Sequence, residues 1–210
     1  TVNAGYVPSL NSITFPAAIL QSPFFDPAAD PAVNYGAAGA VIGHELGHAF
    51  DDQGSQQDAD GRLRNWWTPE AREAFTERAA VLIEQFNGYS PIEGMTVNGV
   101  LTLGENIGDL AGLTIAYDAY RLSVENEQGG EAPVIDGYTG DQRFFLAWAQ
   151  LWRTKATPDI ERQLLLSDPH SPGEFRANGI VRNVDGWYEA FDVKEGDALY
   201  LPPEKRARIW

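Results

Sequence analysis

The residues best suited to chemistry lie in the apolar segment 41–48, where His44, Glu45 and His48 spell H-E-x-x-H. The chain contains only three histidines, and two of them are in this segment. In a helix, positions i and i+4 lie on one face, so both imidazoles can bind one zinc ion beside Glu45, a candidate general base. The alternative is an amphipathic helix with two incidental histidines. The spacing favours a zinc site of the hydrolytic type.

Such a site needs a third protein ligand, with a fourth position left open. Glu105 is the best candidate because it begins a long helical pattern, after a turn that the pair Asn98-Gly99 predicts. Asp109 follows four residues later on the same helix face, where it could accept the free N–H of a liganding imidazole. A solvated helix face is the alternative for such a pair of acids. The apolar residues around the pair favour the metal site.

Seven segments of the chain follow a family pattern. They are V-N-A-G-Y at 2–6, F-P-A-A-I-L-Q-S-P-F-F at 15–25, N-Y-G-A-A-G-A-V-I-G-H-E-L-G-H-A-F-D-D-Q-G at 34–54, W-W-T at 66–68, L-G-E-N-I-G-D at 103–109, D-P-H-S-P-G-E-F-R at 168–176 and R-I-W at 208–210. Together they resemble the catalytic portion of the neprilysin and endothelin-converting-enzyme family of zinc peptidases. The resemblance implies that residues 1–210 form a mainly helical α+β domain, thermolysin-like, with a small antiparallel β element.

The same resemblance implies roles for individual residues around one Zn²⁺ ion per chain. Asp109 should support a zinc ligand, and His170, held by Asp168, should face the oxyanion of the reaction. Seen without the family pattern, His170 would be read as an ordinary surface histidine before a proline turn. The remaining implied roles are zinc ligands at His44, His48 and Glu105 and a catalytic base at Glu45.

Substrate contacts are also implied by the family pattern. Arg176 should reach a substrate carbonyl, while Asn3 and Ala4 should pair with the backbone of an extended peptide, as in strand addition. The hydrophobic pocket after the scissile bond should be lined by Ile19, Phe24, Val41, Leu151 and Trp152. Any of these apolar residues taken alone is more often ordinary core. Ala40 stands where a bulkier residue is expected, so its small side chain should widen the pocket.

The predicted function is therefore a zinc endopeptidase that cuts on the amino side of hydrophobic residues. One alternative is a non-catalytic binding or assembly domain that retains a structural zinc site. Intact Glu45 and His170 speak against it, and closed structural sites usually have four protein ligands. Another alternative is an aminopeptidase, which would need a group for the substrate's free amine, and no motif for one is found.

The composition of the chain limits its possible binding partners and metal ligands. A net charge of −15 and a pI near 4.4 argue against nucleic-acid binding, and no apolar run reaches membrane-spanning length. The sequence has no cysteine, so zinc must rely on nitrogen and oxygen ligands. This departs from the disulfide-bearing animal members of the family that the chain resembles, and it favours a bacterial origin. Because family members are much longer, an upstream region or a second chain is expected to cover the active site. The resemblance favours a secreted or cell-envelope location, with the bacterial cytoplasm as the alternative.

Turn residues, helix caps and apolar periodicity predict the helices and strands that position these residues. Strands and turns are expected in residues 1–20, and a metal-binding helix from about 35 to 51. Thr68 and Pro69 predict a helix start, with the helix running towards Tyr89. Further helices are expected near 105–125, 140–155 and 158–166, and a surface loop over 126–140.

Overall fold

The structure is a computed structural model that describes residues 1–210, except for the side chain of Gln128. It is mainly helical with one small antiparallel sheet, which confirms the predicted α+β class. Strands β1 (Gly5–Val7) and β2 (Ser12–Thr14) pair Gly5 with Thr14 and Val7 with Ser12. The helices are α1 (Pro31–Asn34), α2 (Ala40–Gly47), α3 (Pro69–Asn87), α4 (Leu103–Gln128), α5 (Gly140–Leu151), α6 (Pro158–Ser167), α7 (Gly173–Val181) and α8 (Asp185–Phe191).

The predicted metal-binding helix is a continuous helical segment that begins earlier than expected. Helix α1 leads into a π-helical turn at Tyr35–Gly39, then α2, then a 3₁₀ turn at His48–Phe50. Pro31 is the first residue of the segment. Proline suits this position because the first backbone N–H groups of a helix have no partner within the helix. Helical turns of the π type are frequent at functional sites, and this one directly precedes the H-E-x-x-H turn.

Capping explains where two other helices begin. The hydroxyl of Thr68 accepts a hydrogen bond from the backbone N–H of Ala71 at 3.2 Å. Helix α3 begins at Pro69, directly after Thr68, as predicted. At α5, Thr139 and Gln142 form a reciprocal capping box.

Two sequence predictions need correction. Helix α4 continues to Gln128, where a surface loop over 126–140 was expected, because the left-handed residue that stops it is Gly129, with a φ of 72°. Helices α7 and α8 were not predicted at all. Each is short, and α7 includes two glycines, so packing against the core stabilises them more than intrinsic propensity does.

The core lies between α4 and the helices packed around it. Its largest fully buried side chains include Trp148, Tyr120, Phe86 and Phe144. Helix α2 lies so close to α4 that a Cβ atom added to Gly43 would come within 2.8 Å of the Cα of Gly112. This approach brings the H-E-x-x-H turn against the first turns of α4. Within the described part of the chain, no helix has the length and apolar character needed to cross a membrane.

Candidate active site

The three predicted metal ligands converge at the contact between α2 and α4. The Nε2 atoms of His44 and His48 lie 3.2 and 3.8 Å from Oε2 of Glu105. One ligand atom from each residue can be chosen so that all three lie within 4.8 Å of one another. These three side chains could therefore hold one metal ion, with two nitrogen ligands and one oxygen ligand.

The chemistry of this donor set fits a cation. Glu105 Oε2 is buried and makes no hydrogen bond of good geometry within the described residues, although imidazole nitrogens lie close to it. A buried carboxylate oxygen without a partner is costly, and a bound cation would satisfy it. Two nitrogens and one oxygen leave a tetrahedral ion with one free position, as hydrolytic zinc sites require.

Each imidazole is oriented by a carboxylate. Nδ1 of His44 lies 2.8 Å from Oδ1 of Asp109, and Nδ1 of His48 lies 2.7 Å from Oδ2 of Asp51. Each ionised carboxylate accepts a hydrogen bond from Nδ1–H, so the Nε2 atoms that face Glu105 are the ones available to a metal. Burial lowers the pKa of His44, but the adjacent carboxylates of Asp109 and Glu105 outweigh this and raise it to about 9. A metal ion that binds this ring would compete with its proton.

Asp51 was missed by the sequence analysis. Besides the imidazole of His48, its carboxylate accepts the backbone N–H groups of Gln53 and Gly54 at 2.8 and 2.7 Å. It is 5% exposed and lies three residues after His48, just past the 3₁₀ turn, where the backbone is extended. An acid at that spacing was the signal that could have identified it.

Asp109 is held from the other side by Arg176. The guanidinium Nε and Nη2 atoms each donate to the carboxylate at 2.7 Å, and Asp109 is completely buried. Burial would raise the pKa of Asp109, but the charge and hydrogen bonds of Arg176, together with His44, lower it below its usual range. The guanidinium also stacks 3.7 Å from the ring centre of Trp152. Direct contacts thus connect the pocket residue Trp152, through Arg176 and Asp109, to the predicted zinc ligand His44.

Glu45 lies beside the candidate metal site on α2. It is 6% exposed and lines the same cavity as the three candidate ligands. Burial raises the pKa of its carboxyl group, and this effect exceeds the opposing influence of His44 and His48. A carboxylate with a raised pKa is a better proton acceptor near neutral pH.

His170 reaches this site from the segment before α7. Asp168 Oδ1 accepts the backbone N–H of His170 at 2.9 Å and lies 2.8 Å from its Nδ1. Nε2 of His170 lies 3.1 Å from Oε2 of Glu105. The adjacent carboxylate of Glu105 raises the pKa of His170, although burial opposes it. The third histidine of the chain therefore lies next to the same glutamate as the other two, which its position in the sequence alone does not indicate.

These side chains line one open cavity of about 640 Å³. Of the predicted site residues, Asp168 and Leu151 are not on its wall; Asp168 contacts His170 from behind, and Leu151 packs against the core. Ala40 is completely buried in the core, so it does not widen the cavity directly. Predicted residues that do line the wall are Asn3, Ala4, Ile19, Phe24, Val41, His44, Glu45, His48, Glu105, Asp109, Trp152, His170 and Arg176.

The sheet contributes one side of this cavity. Asn3 and Ala4 lead directly into β1, and both line the cavity wall. Strand β1 pairs with β2 along one edge only, within a two-stranded sheet. Substrate-backbone contacts were predicted at these two residues, and they line the same cavity as the H-E-x-x-H turn.

Comparison with curated proteins shows similarity over the whole chain. It is 43% identical to endothelin-converting enzyme 1 of Bos taurus, and 42% identical to the neutral endopeptidase of Lactococcus lactis. Both alignments cover 100% of this chain, which spans 27% and 31% of the length of those relatives. The chain is thus comparable to less than a third of each of these proteins.

Solved structures agree with this relationship. The zinc metalloprotease Zmp1 of Mycobacterium tuberculosis, in complex with an inhibitor, superposes with a TM-score of 0.96 at 58% identity. PepO of Lactobacillus rhamnosis gives 0.87 at 41% identity. All of this chain is covered in each case, against 32% and 31% of those chains. The sequence profile of peptidase family M13 matches residues 3–207, and the predicted resemblance is confirmed. The chain belongs to peptidase family M13.

Proposed function

We propose that residues 1–210 form the catalytic domain of a zinc-dependent endopeptidase. The observation that carries the proposal is the meeting of His44, His48 and Glu105 within 4.8 Å, with Glu45 on the same cavity wall. Membership of family M13 supports the same reaction class. A structural zinc site would need neither the adjacent base nor an open cavity, so a non-catalytic role is the weaker candidate.

His44, His48 and Glu105 would hold one zinc ion per chain. When bound, zinc would supply a Lewis acid that polarises the reacting oxygen atoms. Asp109 and Asp51 would keep the two imidazoles in the orientation that presents Nε2. The buried Arg176 keeps Asp109 ionised through two hydrogen bonds, so that it remains an acceptor for His44.

The proton transfers would be made by Glu45. Its carboxylate takes a proton from the attacking water and passes it to the leaving amine. His170 would donate from Nε2 to the oxygen that becomes negative, while Asp168 binds the opposite ring nitrogen. In the protonated ring both nitrogens carry hydrogen, so this donor is available when Asp168 occupies Nδ1.

The cavity supports a preference for peptides with a hydrophobic residue immediately after the scissile bond. Ile19, Phe24, Val41 and Trp152 provide an apolar part of its wall. An extended peptide would lie along Asn3 and Ala4, forming main-chain hydrogen bonds while its side chain enters this pocket. Arg176 binds Asp109 through Nε and Nη2, and its Nη1 is outside these two bonds and could reach a substrate carbonyl.

We also propose that further polypeptide, from a longer chain or a second one, covers the active-site face. The chain spans only 27% and 31% of the length of the two curated relatives, and the apolar residues Val100 and Leu101 on the cavity wall are 65% and 38% exposed. Exposed apolar residues at a cavity can mark an interaction surface. Photo-cross-linking from probes at these two positions, in a protein of the relatives' length, should capture further polypeptide, and capture of none would contradict the proposal.

The function can be tested with a mixed peptide library and the variant Glu45→Gln. The unmodified chain with zinc should cleave before hydrophobic residues, and a chelator should stop it. Glu45→Gln should abolish cleavage while keeping stoichiometric zinc, because the amide cannot accept the proton of water. Cleavage sites are mapped by mass spectrometry and zinc by elemental analysis. Zinc binding without any cleavage would instead favour the non-catalytic role, and removal of single amino-terminal residues would indicate an aminopeptidase.

A further inference from the structure

The segment that carries His170 is attached to α4 by a buried hydrogen bond that the reaction itself does not use. Ser171 follows His170 directly and is 3% exposed. Its hydroxyl donates to Oδ1 of Asn106 at 2.8 Å, across 65 positions of sequence. Because Asn106 is the residue after Glu105, this bond joins the neighbour of the candidate oxyanion donor to the neighbour of a candidate metal ligand.

Asn106 is itself fixed within α4. It is 1% exposed, and its Nδ2 donates to the hydroxyl of Thr102 at 2.9 Å. That hydroxyl in turn donates to the carbonyl of Asn98 at 3.1 Å, in the turn that precedes α4. The amide of Asn106 therefore has a defined orientation, with its oxygen directed towards Ser171. A buried amide oxygen with this single donor would be left without a partner if the hydroxyl were removed.

The other end of the segment has little room to move. A Cβ atom added to Gly173 would lie 3.0 Å from Oγ1 of Thr154, just after α5. His170 itself is held by Asp168 alone on its Nδ1 side, and its side chain is 45% exposed. Asp168 belongs to the same short segment, so it orients the ring within the segment but cannot fix the segment relative to Glu105. A contact from outside the segment is needed for that, and the Ser171–Asn106 bond is such a contact.

We propose that Ser171 and Asn106 are positioning residues that place His170 beside the metal site. Their hydrogen bond holds the segment 168–173 against the first turn of α4, so that Nε2 of His170 stays next to Glu105. Neither residue is expected to touch substrate. Only the kinetic part of this proposal rests on the proposed peptidase function, because the placement of His170 can be measured without catalysis.

The first test is the variant Ser171→Ala, with Ser167→Ala as its matched control. The hydroxyl of Ser167 donates to Gln163 within its own helix and is exposed, so its loss should leave His170 in place. The NMR resonance of the His170 ring, assigned by its disappearance in His170→Ala, should shift in Ser171→Ala and not in Ser167→Ala. Ser171→Cys keeps a side chain of similar shape with a weaker donor; it should also shift the resonance, and it replaces the alanine variant if that variant does not fold.

The second test is kinetic. Ser171→Ala should lower kcat about 10- to 100-fold with little change in KM or bound zinc, as expected when a reacting group is displaced by about 1 Å. In a His170→Ala background, the same substitution should cause no further loss, because Ser171 acts through His170. An unshifted His170 resonance in both Ser171 variants would overturn the proposal. So would an equal loss of kcat whether or not His170 is present. If the unmodified chain cleaves no peptide, the peptidase function fails and the resonance alone decides the placement.

Discussion

Replacing Gly112 by alanine should disrupt the metal site from a distance. Gly112 is inside α4, where alanine normally stabilises a helix by about 1 kcal/mol relative to glycine. Here the added Cβ would overlap the carbonyl oxygen of Ala40 and the backbone nitrogen of His44, and would lie 2.9 Å from the Cα of His44. These are backbone atoms of α2, so no side chain can rotate to make room. The two helices must separate.

The size of the effect follows from this distance. Carbon atoms pack best at about 3.5 Å or more, so the contact with His44 Cα alone would require α2 and α4 to separate by roughly 0.6 Å, and the two overlapping contacts require more. Metal–ligand distances tolerate only about 0.2 Å, and Glu105 is on one helix while His44 is on the other. We therefore expect zinc affinity to fall about 10- to 100-fold, the scale of a displaced supporting contact. Overpacking should cost about 1–3 kcal/mol of unfolding free energy, partly offset by the higher helix propensity of alanine.

Zinc affinity is measured by competition with a chromogenic chelator, and the free energy of unfolding by denaturant titration of the zinc-free chain. The matched control is Gly39→Ala, on the same helical segment as His44, where the added Cβ would meet its nearest neighbours at 3.6–3.7 Å, an ordinary contact. The control should keep normal zinc affinity. If Gly112→Ala binds zinc as tightly as the unmodified chain, close helix packing does not set the spacing of the ligands and the reasoning fails.

Three further substitutions test the roles of individual side chains. Glu105→Ala should lose zinc, since it removes one of three proposed ligands, and full occupancy by metal analysis would place the third ligand elsewhere. Asp51→Ala should weaken zinc binding about 10- to 100-fold, because His48 loses its carboxylate partner. Unchanged affinity in the competition titration would mean that Asp51 only supports its loop. His170→Ala should lower turnover about 10²- to 10³-fold with zinc retained, and loss of zinc on the same preparation would make His170 a ligand instead.

Local sequence signals predicted much of the fold. Helix α3 begins at the expected capping threonine, and the two strands lie where alternation and turn residues suggested. The predictions failed in two ways. Helix α4 is longer than predicted because the glycine that ends it, Gly129, lies further along the chain. Helices α7 and α8 have too little intrinsic helix propensity to be predicted without the residues they pack against.

The sequence by itself determined the part of the site that depends on helical periodicity. His44 and His48 share a face because they are four residues apart, and Glu45 must lie next to them. Family patterns added residues from other segments and some of their contacts, such as Asp168 with His170, but not the pairing of Arg176 with Asp109. Asp51 is the intermediate case, since its spacing from His48 was readable although its contact was not.

Only the tertiary structure decided how the separate segments meet. Glu105 reaches the imidazoles because Gly43 and Gly112 let two helix backbones approach closely, and glycine content does not reveal which glycines will face each other. The bidentate pairing of Arg176 with Asp109 and the bond from Ser171 to Asn106 join residues more than sixty positions apart. Such pairs are set by the packing of the whole chain, because no local periodicity relates their positions. The sequence therefore determined which chemistry was available, and the packing of α2, α4 and the segment before α7 determined its geometry.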